Sequence, residues 1–480
     1  MWIALLMALP IVAGEIPVTS RSPGARQLFL QGREKALNFD TAEAAALFRK
    51  ALALDPDFPL ALAWLGKLTQ GPEGVAMAGR AAVLDDQQGL TDLEKMTVDV
   101  LLAERKGEDE KVRKLRRELA DLAPDDWLAQ LQLGVQSMYD HKSQAAILYL
   151  GRALKLNPKA AEAYNYLGYV LVRQGQIEDG IAKVKRFVEL KPQESNSWDS
   201  LGEVLLAAGK LDEAEAAFRK ASELAPDDWM SWMGVAYARF FRGDWTGGRA
   251  ACADAGKYIT RAPDKLAVGL VQAWSFLAQG KGEAALSVLD GIEKDALAHK
   301  NDFGLAWAAL ERAEMLVELH RFDDANRQLA LAAARGGSSK VSGDERNRLR
   351  RSALVVQARI GTLAMAKKAL AELQGELATA PSNADLRGQV HFGEGLVAMA
   401  QGRPEQALES LSKCPDTLFQ CRVELADAQS RAGLKALADE TLRKLGQANI
   451  RDSLHRGADP SYLYLSAALK GHGPAVAAVR

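Results

Sequence analysis

The amino-acid sequence predicts an all-α protein, a solenoid of stacked helical hairpins. Its 480 residues exceed what one hydrophobic core usually organises, which favours several domains or a repeat array. Ala and Leu dominate the composition, and both cost little free energy in a helix interior. Glycines and prolines each recur at one common interval with a constant offset, which indicates a repeat. These residues are Gly134, Gly168 and Gly202, and Pro124, Pro158, Pro192 and Pro226.

Residues 195–228 show what one repeat unit contains. Apolar residues recur at helical spacing in two successive segments, which predicts two amphipathic helices. They are Trp198, Leu201, Leu205, Ala214, Phe218 and Ala221. Gly202 is small enough for the two helices to approach closely, and Pro226 ends the second helix because proline cannot continue the hydrogen-bond ladder. One such hairpin cannot bury its outer faces, so neighbouring hairpins are expected to stack.

This spacing resembles the tetratricopeptide repeat at about eight positions per unit, and the resemblance runs from about Ala25 to Gly446. It implies a right-handed α-α superhelix of about twelve hairpins that binds proteins or peptides. We expect the solenoid over residues 24–335 and degenerate hairpins over residues 344–470. Between them, residues 336–343 read GGSSKVSG, which predicts a flexible connector and a subdomain boundary.

The N-terminal part has a finer resemblance. Residues 22–32 and 42–58 look like repeat regions attached to bacterial kinases and transcriptional regulators. No kinase or DNA-binding domain precedes them in this sequence, so the resemblance implies only the binding module.

The segment 1–14, MWIALLMALPIVAG, is predicted to be a signal peptide. The apolar run is shorter than the roughly 20 residues that a bilayer-spanning helix needs. Small residues at Ala13 and Gly14 offer a cleavage point before Glu15, although no Lys or Arg precedes the run. We therefore expect a periplasmic or secreted protein with no integral membrane segment in the mature chain. The alternative is a cytoplasmic protein.

Charge and motifs point away from nucleic-acid binding and from catalysis. The formal net charge is −1, whereas nucleic-acid binders usually carry a basic excess. Phosphate-binding loops, nucleophile elbows and zinc-protease helices have no counterpart in the sequence. We expect no enzyme activity, no cofactor and no metal. Acidic pairs such as Asp125-Asp126 follow the repeat prolines and are interpreted as helix caps.

The tetratricopeptide resemblance also implies a concave groove. In that family, positions 2, 5, 9 and 12 of each unit face the groove, with a helical spacing of their own. The candidate groove residues are Leu131, Val135 and Met138, then Asn165 and Tyr169 with Arg173 beside them, then Asp199, Glu203 and Leu206. The groove should therefore change from apolar to polar and acidic, which suits an extended or helical peptide with one apolar and one basic end.

Cys414 and Cys421 are candidates for a disulfide, because Pro415-Asp416 can make a turn between two helices and an oxidising compartment would allow the bond. Two buried free thiols are the alternative. For the whole chain, the sequence favours a non-enzymatic scaffold in the cell envelope. The other reading is a cytoplasmic regulatory subunit that acts with a separate effector.

Overall fold

The computed structural model describes residues 16–37, 40–84, 89–360, 362–381, 383–415 and 418–447. The predicted signal peptide and the end of the predicted C-terminal region (448–470) lie outside these residues. In the described part every regular element is an α-helix, so the all-α repeat prediction is confirmed, and the 24 helices are the number that twelve hairpins contain. The helices are α1 (Pro23–Leu37), α2 (Thr41–Leu54), α3 (Pro59–Leu68), α4 (Gly71–Leu84), α5 (Asp92–Lys106), α6 (Asp109–Leu122), α7 (Trp127–Tyr139), α8 (Ser143–Leu156), α9 (Ala161–Arg173), α10 (Ile177–Leu190), α11 (Ser195–Ala207), α12 (Leu211–Leu224), α13 (Trp229–Phe241), α14 (Trp245–Gly256), α15 (Ala262–Ala278), α16 (Gly282–Ala298), α17 (Asp302–Glu318), α18 (Phe322–Gly336), α19 (Gly343–Arg359), α20 (Leu363–Thr379), α21 (Ala384–Ala400), α22 (Pro404–Leu411), α23 (Phe419–Arg431) and α24 (Lys435–Gln447).

The helices form two compact units, Met1–Val204 and Leu205–Arg480. In the first unit α1 packs on α2, α3 on α4, α5 on α6, α7 on α8 and α9 on α10. The second unit continues this pairing from α13 and α14 to α23 and α24. The first helices of neighbouring hairpins also contact each other, as α7 and α9 do in the first unit and α17 and α19 do in the second. The hairpins therefore stack in sequence order.

The division between the units differs from the boundary that the sequence suggests at residues 336–343. Gly and Ser there predict flexibility, but tertiary contacts hold the segment. The Ser338 hydroxyl donates to Asp302 over 2.7 Å, and Val341 is 1% exposed. Ser342 begins α19 with a capping box, in which its side chain and that of Glu345 each accept a backbone N–H. A buried valine and a cap turn this connector into an ordered turn.

The repeat interval also appears in the backbone conformation of the turns. Gly175, Gly209 and Gly243 follow successive first helices and have φ angles of 78°, 74° and 86°. Glycine takes this left-handed conformation without steric cost, which ends the helix and reverses the chain. His141 stands one interval earlier and has a φ of 59°. The repeat therefore imposes its turn even where the residue is not glycine.

Helix packing within a hairpin depends on a second group of glycines. A Cβ atom added to Gly134 would lie 2.8 Å from Cγ of Leu150, and one on Gly32 would lie 2.7 Å from Cε1 of Phe48. One on Gly168 would meet Val184 and would also come within 2.9 Å of the Gly180 carbonyl oxygen. In each pair the large residue follows the glycine at the same distance along the sequence. The apolar side chain of the second helix therefore packs against the first-helix backbone at the glycine.

Cys414 and Cys421 are joined in the structure, with 2.06 Å between the sulfur atoms. Both are buried beside Leu411 and Leu425, in the apolar cluster between α21, α22 and α23. Cys252 is also buried, and burial raises the pKa of its thiol to about 12. Among the described helices, none combines the length and apolar character that a membrane span requires.

The first prediction tests the helix contact at Gly168. We expect Gly168→Leu to lower the free energy of unfolding by about 1–3 kcal/mol, the usual cost of overpacking a close contact. The matched control is Gly151→Ala on α8, where an added Cβ meets nothing within 4 Å. That change should raise stability by about 0.5–1 kcal/mol, because alanine is the better helix former. Urea denaturation measures both, and an unchanged Gly168→Leu midpoint would contradict the close approach.

Candidate peptide-binding groove

The nine candidate groove residues fall on three first helices, α7, α9 and α11, but they differ in exposure. Four are buried, namely Leu131 (2% exposed), Met138 (8%), Asn165 (4%) and Leu206 (0%). Another four are half-buried, namely Val135, Tyr169, Asp199 and Glu203, and Arg173 is exposed. Leu131 and Met138 belong to the large apolar cluster of the first unit, where they pack with Leu128. Leu131 and Met138 therefore belong to the core that supports the candidate groove, and they do not form its surface.

Tyr169 and Glu203 are brought together, and they occupy the same position of successive units. The Tyr169 hydroxyl donates a hydrogen bond to Oε2 of Glu203. Burial raises the pKa of Tyr169 well above its ordinary 10.0, and the Glu203 charge acts in the same direction. The phenol therefore stays protonated and serves as a donor. A contact between residues one repeat apart shows that these positions of α9 and α11 lie side by side.

The first unit also contacts itself over a long sequence distance. Nζ of Lys191, in the turn between α10 and α11, lies 2.6 Å from Oε1 of Glu34 on α1. Lys35 pairs with Glu43 over 2.8 Å and lies 3.9 Å from Glu194. A cavity of about 350 Å³ lies here. The hairpin of α1 and α2 therefore contacts the turn before α11, so the start of the first unit lies against its end.

A buried acid lies close to this contact. Glu162 on α9 is 6% exposed, and burial raises the pKa of its carboxyl, whereas the Lys191 charge lowers it. Position 162 belongs to the same helical stripe as Asn165 and Tyr169. This face of α9 is therefore polar, and its polar groups are largely removed from water.

In the second unit, the first helices carry a polar network that is not evident from the sequence. Glu311, Glu314 and Glu318 lie along one side of α17. Nε1 of Trp274 on α15 donates to Glu311 over 2.8 Å, and Nε2 of Gln420 on α23 donates to Glu314 over 2.9 Å. Arg359 on α19 pairs with Glu318 over 2.6 Å. Three acids on one helix thus join three other first helices.

The spacing of Glu311, Glu314 and Glu318 at i, i+3 and i+7 could have shown that they share a face. Their burial could not have been found, because each donor comes from another helix. A charged face is usually solvated, and only the tertiary partners reverse that expectation here. In the described part of the chain, no three His, Cys, Asp or Glu side chains are grouped as metal ligands would be.

Comparison with sequence families identifies the repeats. A model described as "Tetratricopeptide repeat" matches residues 200–262. A model described as "Anaphase-promoting complex, cyclosome, subunit 3" matches residues 140–221. The chain contains tetratricopeptide repeats. Together the two matches span residues 140–262, which include α9 and α11 with the Tyr169–Glu203 contact. Among curated proteins, no sequence relative matches.

Solved structures with similar helical repeats include MamA, MamA 41-end from Desulfovibrio magneticus RS-1, and YrrB, described as a TPR protein with an unusual peptide-binding site. The first MamA structure is 20% identical, covers 33% of this chain and 93% of its own, and has a TM-score of 0.30. The Desulfovibrio protein is 18% identical, with coverages of 35% and 96% and a TM-score of 0.32. YrrB is 16% identical, with coverages of 36% and 89% and a TM-score of 0.29.

The second prediction concerns Tyr169→Phe, which removes the hydroxyl that bonds Glu203. At neutral pH the variant should lose about 1 kcal/mol of unfolding free energy, the usual net value of one hydrogen bond. The folded-state pKa of Tyr169 lies above its unfolded value. Its stabilising contribution is therefore complete below about pH 10 and is lost as the pH rises towards the folded value.

Urea denaturation at about pH 8 and about pH 10.5 measures this effect. The wild-type chain should lose more unfolding free energy between the two pH values than Tyr169→Phe does. Parallel losses in both proteins would show that Tyr169 is not held in its protonated form.

Proposed function

We propose that this tetratricopeptide array is a non-enzymatic scaffold that binds a protein or peptide segment along the inner positions of α7, α9 and α11. The observation that carries the proposal is the Tyr169–Glu203 contact between equivalent positions of adjacent units. Stacked hairpins offer an extended concave surface, and such surfaces suit extended or helical peptides.

The exposure of each residue narrows the surface that a ligand can reach. Val135 supplies apolar area, and Asp199 and Glu203 supply acidic groups. Tyr169 lies in the sequence between Val135 and these two acids. Arg173 is exposed at the end of α9. A ligand with an apolar end and a basic end fits this order. The stripe contains no cluster of Lys, Asn and Arg to hold a C-terminal carboxylate, so an internal or basic segment is favoured.

The third prediction tests the acidic end of the groove. Peptides are selected from a displayed library on the wild-type chain, and the affinity of a selected basic peptide is measured by calorimetry. The double variant Asp199→Asn, Glu203→Gln should weaken binding at least about tenfold, since about 1.4 kcal/mol corresponds to a factor of ten. Glutamine at position 203 still accepts the Tyr169 hydrogen bond, so the fold is preserved.

The control is Asp179→Asn with Glu213→Gln, which makes the same change of charge at exposed positions on the second helices α10 and α12. It should bind like the wild-type chain. Equal affinity for the wild-type chain and the groove variant would place the ligand elsewhere, and equal weakening by both variants would indicate long-range charge alone.

We also propose that the protein is exported and works in the periplasm or outside the cell. The apolar run over residues 1–14 and the small residues before Glu15 support export. The bond between Cys414 and Cys421 supports it independently, because disulfides persist in oxidising compartments. The competing proposal is a cytoplasmic regulatory subunit with a separate effector, in which the N-terminus stays intact and the thiols stay reduced.

The fourth prediction separates these locations. The tagged protein is isolated from fractionated cells, denatured without reductant, alkylated and weighed intact by mass spectrometry. Export predicts a chain that begins at Glu15 and carries one alkylated thiol, that of Cys252. A chain with Met1 and three alkylated cysteines, recovered from the cytoplasm, would contradict export.

A further inference from the structure

An extended segment at the start of the described chain runs across the first unit. Residues Ile16–Ser22, here called the strap, precede α1 and contain no helix. Ile16 packs in a cluster with Leu119 and Leu133, and Val18 packs against the large apolar core of the unit. The strap therefore reaches α6 and α7, which lie far from it in the sequence.

Three buried carboxylates hold the strap through its main chain. Asp126 accepts the N–H of Ile16 over 2.8 Å, and Glu94 accepts the N–H of Thr19 over 2.6 Å. Asp55 accepts the N–H of Arg21 over 2.9 Å. The exposed fractions of Asp55, Glu94 and Asp126 are only 5%, 0% and 4%. Bonds to main-chain groups at three points fix an extended conformation in one register.

Two of these carboxylates divide their oxygens between their own helix and the strap. Oδ1 of Asp126 caps α7 by accepting the N–H of Ala129 over 2.6 Å, whereas Oδ2 takes the strap. Oε2 of Glu94 accepts the N–H of Thr91 over 2.9 Å in the capping box of α5, whereas Oε1 accepts the main-chain N–H of Thr19 in the strap. Removing the strap would leave buried carboxylate oxygens without their donors, which is costly.

Side chains of the strap add selectivity. The Thr19 hydroxyl lies 3.1 Å from Oε2 of Glu94, and the Ser20 hydroxyl donates to Asp55 over 2.6 Å. Ile16 and Val18 supply the apolar contacts. The surface thus selects an extended segment with alternating apolar residues followed by two hydroxyl residues.

We propose that Asp55, Glu94 and Asp126, with the apolar floor between them, form a second peptide-binding site, and that the strap is its ligand. The site is filled from within the same chain and accepts the same extended sequence from outside when the strap is released. It is separate from the groove on α7, α9 and α11, so the two proposals can fail independently.

Tethering explains why the site is occupied. The strap continues directly into α1 at Pro23, so its effective concentration at the site is on the order of millimolar. A free peptide at micromolar concentration cannot displace it. A change in the strap that removes a donor without altering the extended backbone should open the site to a peptide added in solution.

The test uses the full chain with Thr19→Pro. Proline removes the N–H and the hydroxyl that bond Glu94, while its fixed φ and its effect on Val18 remain compatible with an extended segment. The probe is a fluorescently labelled peptide of residues 15–22, followed by anisotropy. The Thr19→Pro chain should bind it at least about tenfold more tightly than the wild-type chain does.

Three controls accompany the test. Thr19→Val keeps the N–H and should exclude the peptide as the wild-type chain does. A peptide methylated on the nitrogen of Thr19 should not bind Thr19→Pro. Light scattering should show a wild-type monomer, since a dimer that exchanges straps would overturn occupancy within one chain. Absence of peptide binding to a folded Thr19→Pro chain, or equal binding to both chains, would also overturn the proposal.

If Thr19→Pro does not fold, as judged by circular dichroism, Glu94→Gln carries the test. The amide oxygen still accepts from Thr91, so the capping box of α5 is kept. The amide nitrogen replaces the oxygen that accepts the Thr19 N–H, so this bond to the strap is lost. Hydrogen exchange at the amides of Ile16 and of residues 18–21 should then be at least about tenfold faster than in the wild-type chain. Unchanged exchange would overturn the proposal.

Discussion

Several of the described hairpins depend on a close approach of two helices, and a glycine opposite a large apolar side chain makes that approach possible. The pairs Gly32–Phe48, Gly134–Leu150, Gly168–Val184 and Gly395–Leu411 all keep the same separation along the chain. The separation is constant because it spans the same stretch of first helix, turn and second helix each time. Stacking then follows, since a hairpin closed in this way still has apolar faces that only a neighbour can cover.

The strap shows how a repeat array uses residues that do not belong to the repeat. Acids in several turns cap the helix that follows, as Asp228 does for α13 and Asp244 for α14. In the first unit, Asp55, Glu94 and Asp126 also serve a second chain segment. A carboxylate has two oxygens and about four acceptor positions, so one acid can accept hydrogen bonds from a helix end and from an extended segment together.

Polar groups on the first helices have two different roles in the two units. On α9 and α11, Tyr169, Asp199 and Glu203 lie half-buried, and the Tyr169 hydroxyl bonds Glu203. On α17, Glu311 and Glu314 accept hydrogen bonds and Glu318 forms an ion pair, each with a side chain of a different helix. Burial also raises the pKa of Glu424, although the Arg359 charge opposes the shift. The polar face of the second unit therefore contributes to helix packing, whereas Asp199 and Glu203 of the first unit remain partly exposed.

The sequence by itself determined the helices, the repeat interval and the turns, because each follows from local chemistry: apolar spacing, glycine at positive φ, and caps. It also placed Tyr169 and Glu203 on one stripe, since helical periodicity sets which residues share a face. Only the tertiary structure decided which stripe residues are accessible, because exposure depends on neighbouring helices; Leu131 and Asn165 are buried for that reason. It alone showed that residues 338–342 are held by Asp302 and a buried Val341, and that Ile16 reaches Asp126. Contacts between residues this far apart have no periodic signal, since their partners are set by how hairpins stack rather than by local sequence.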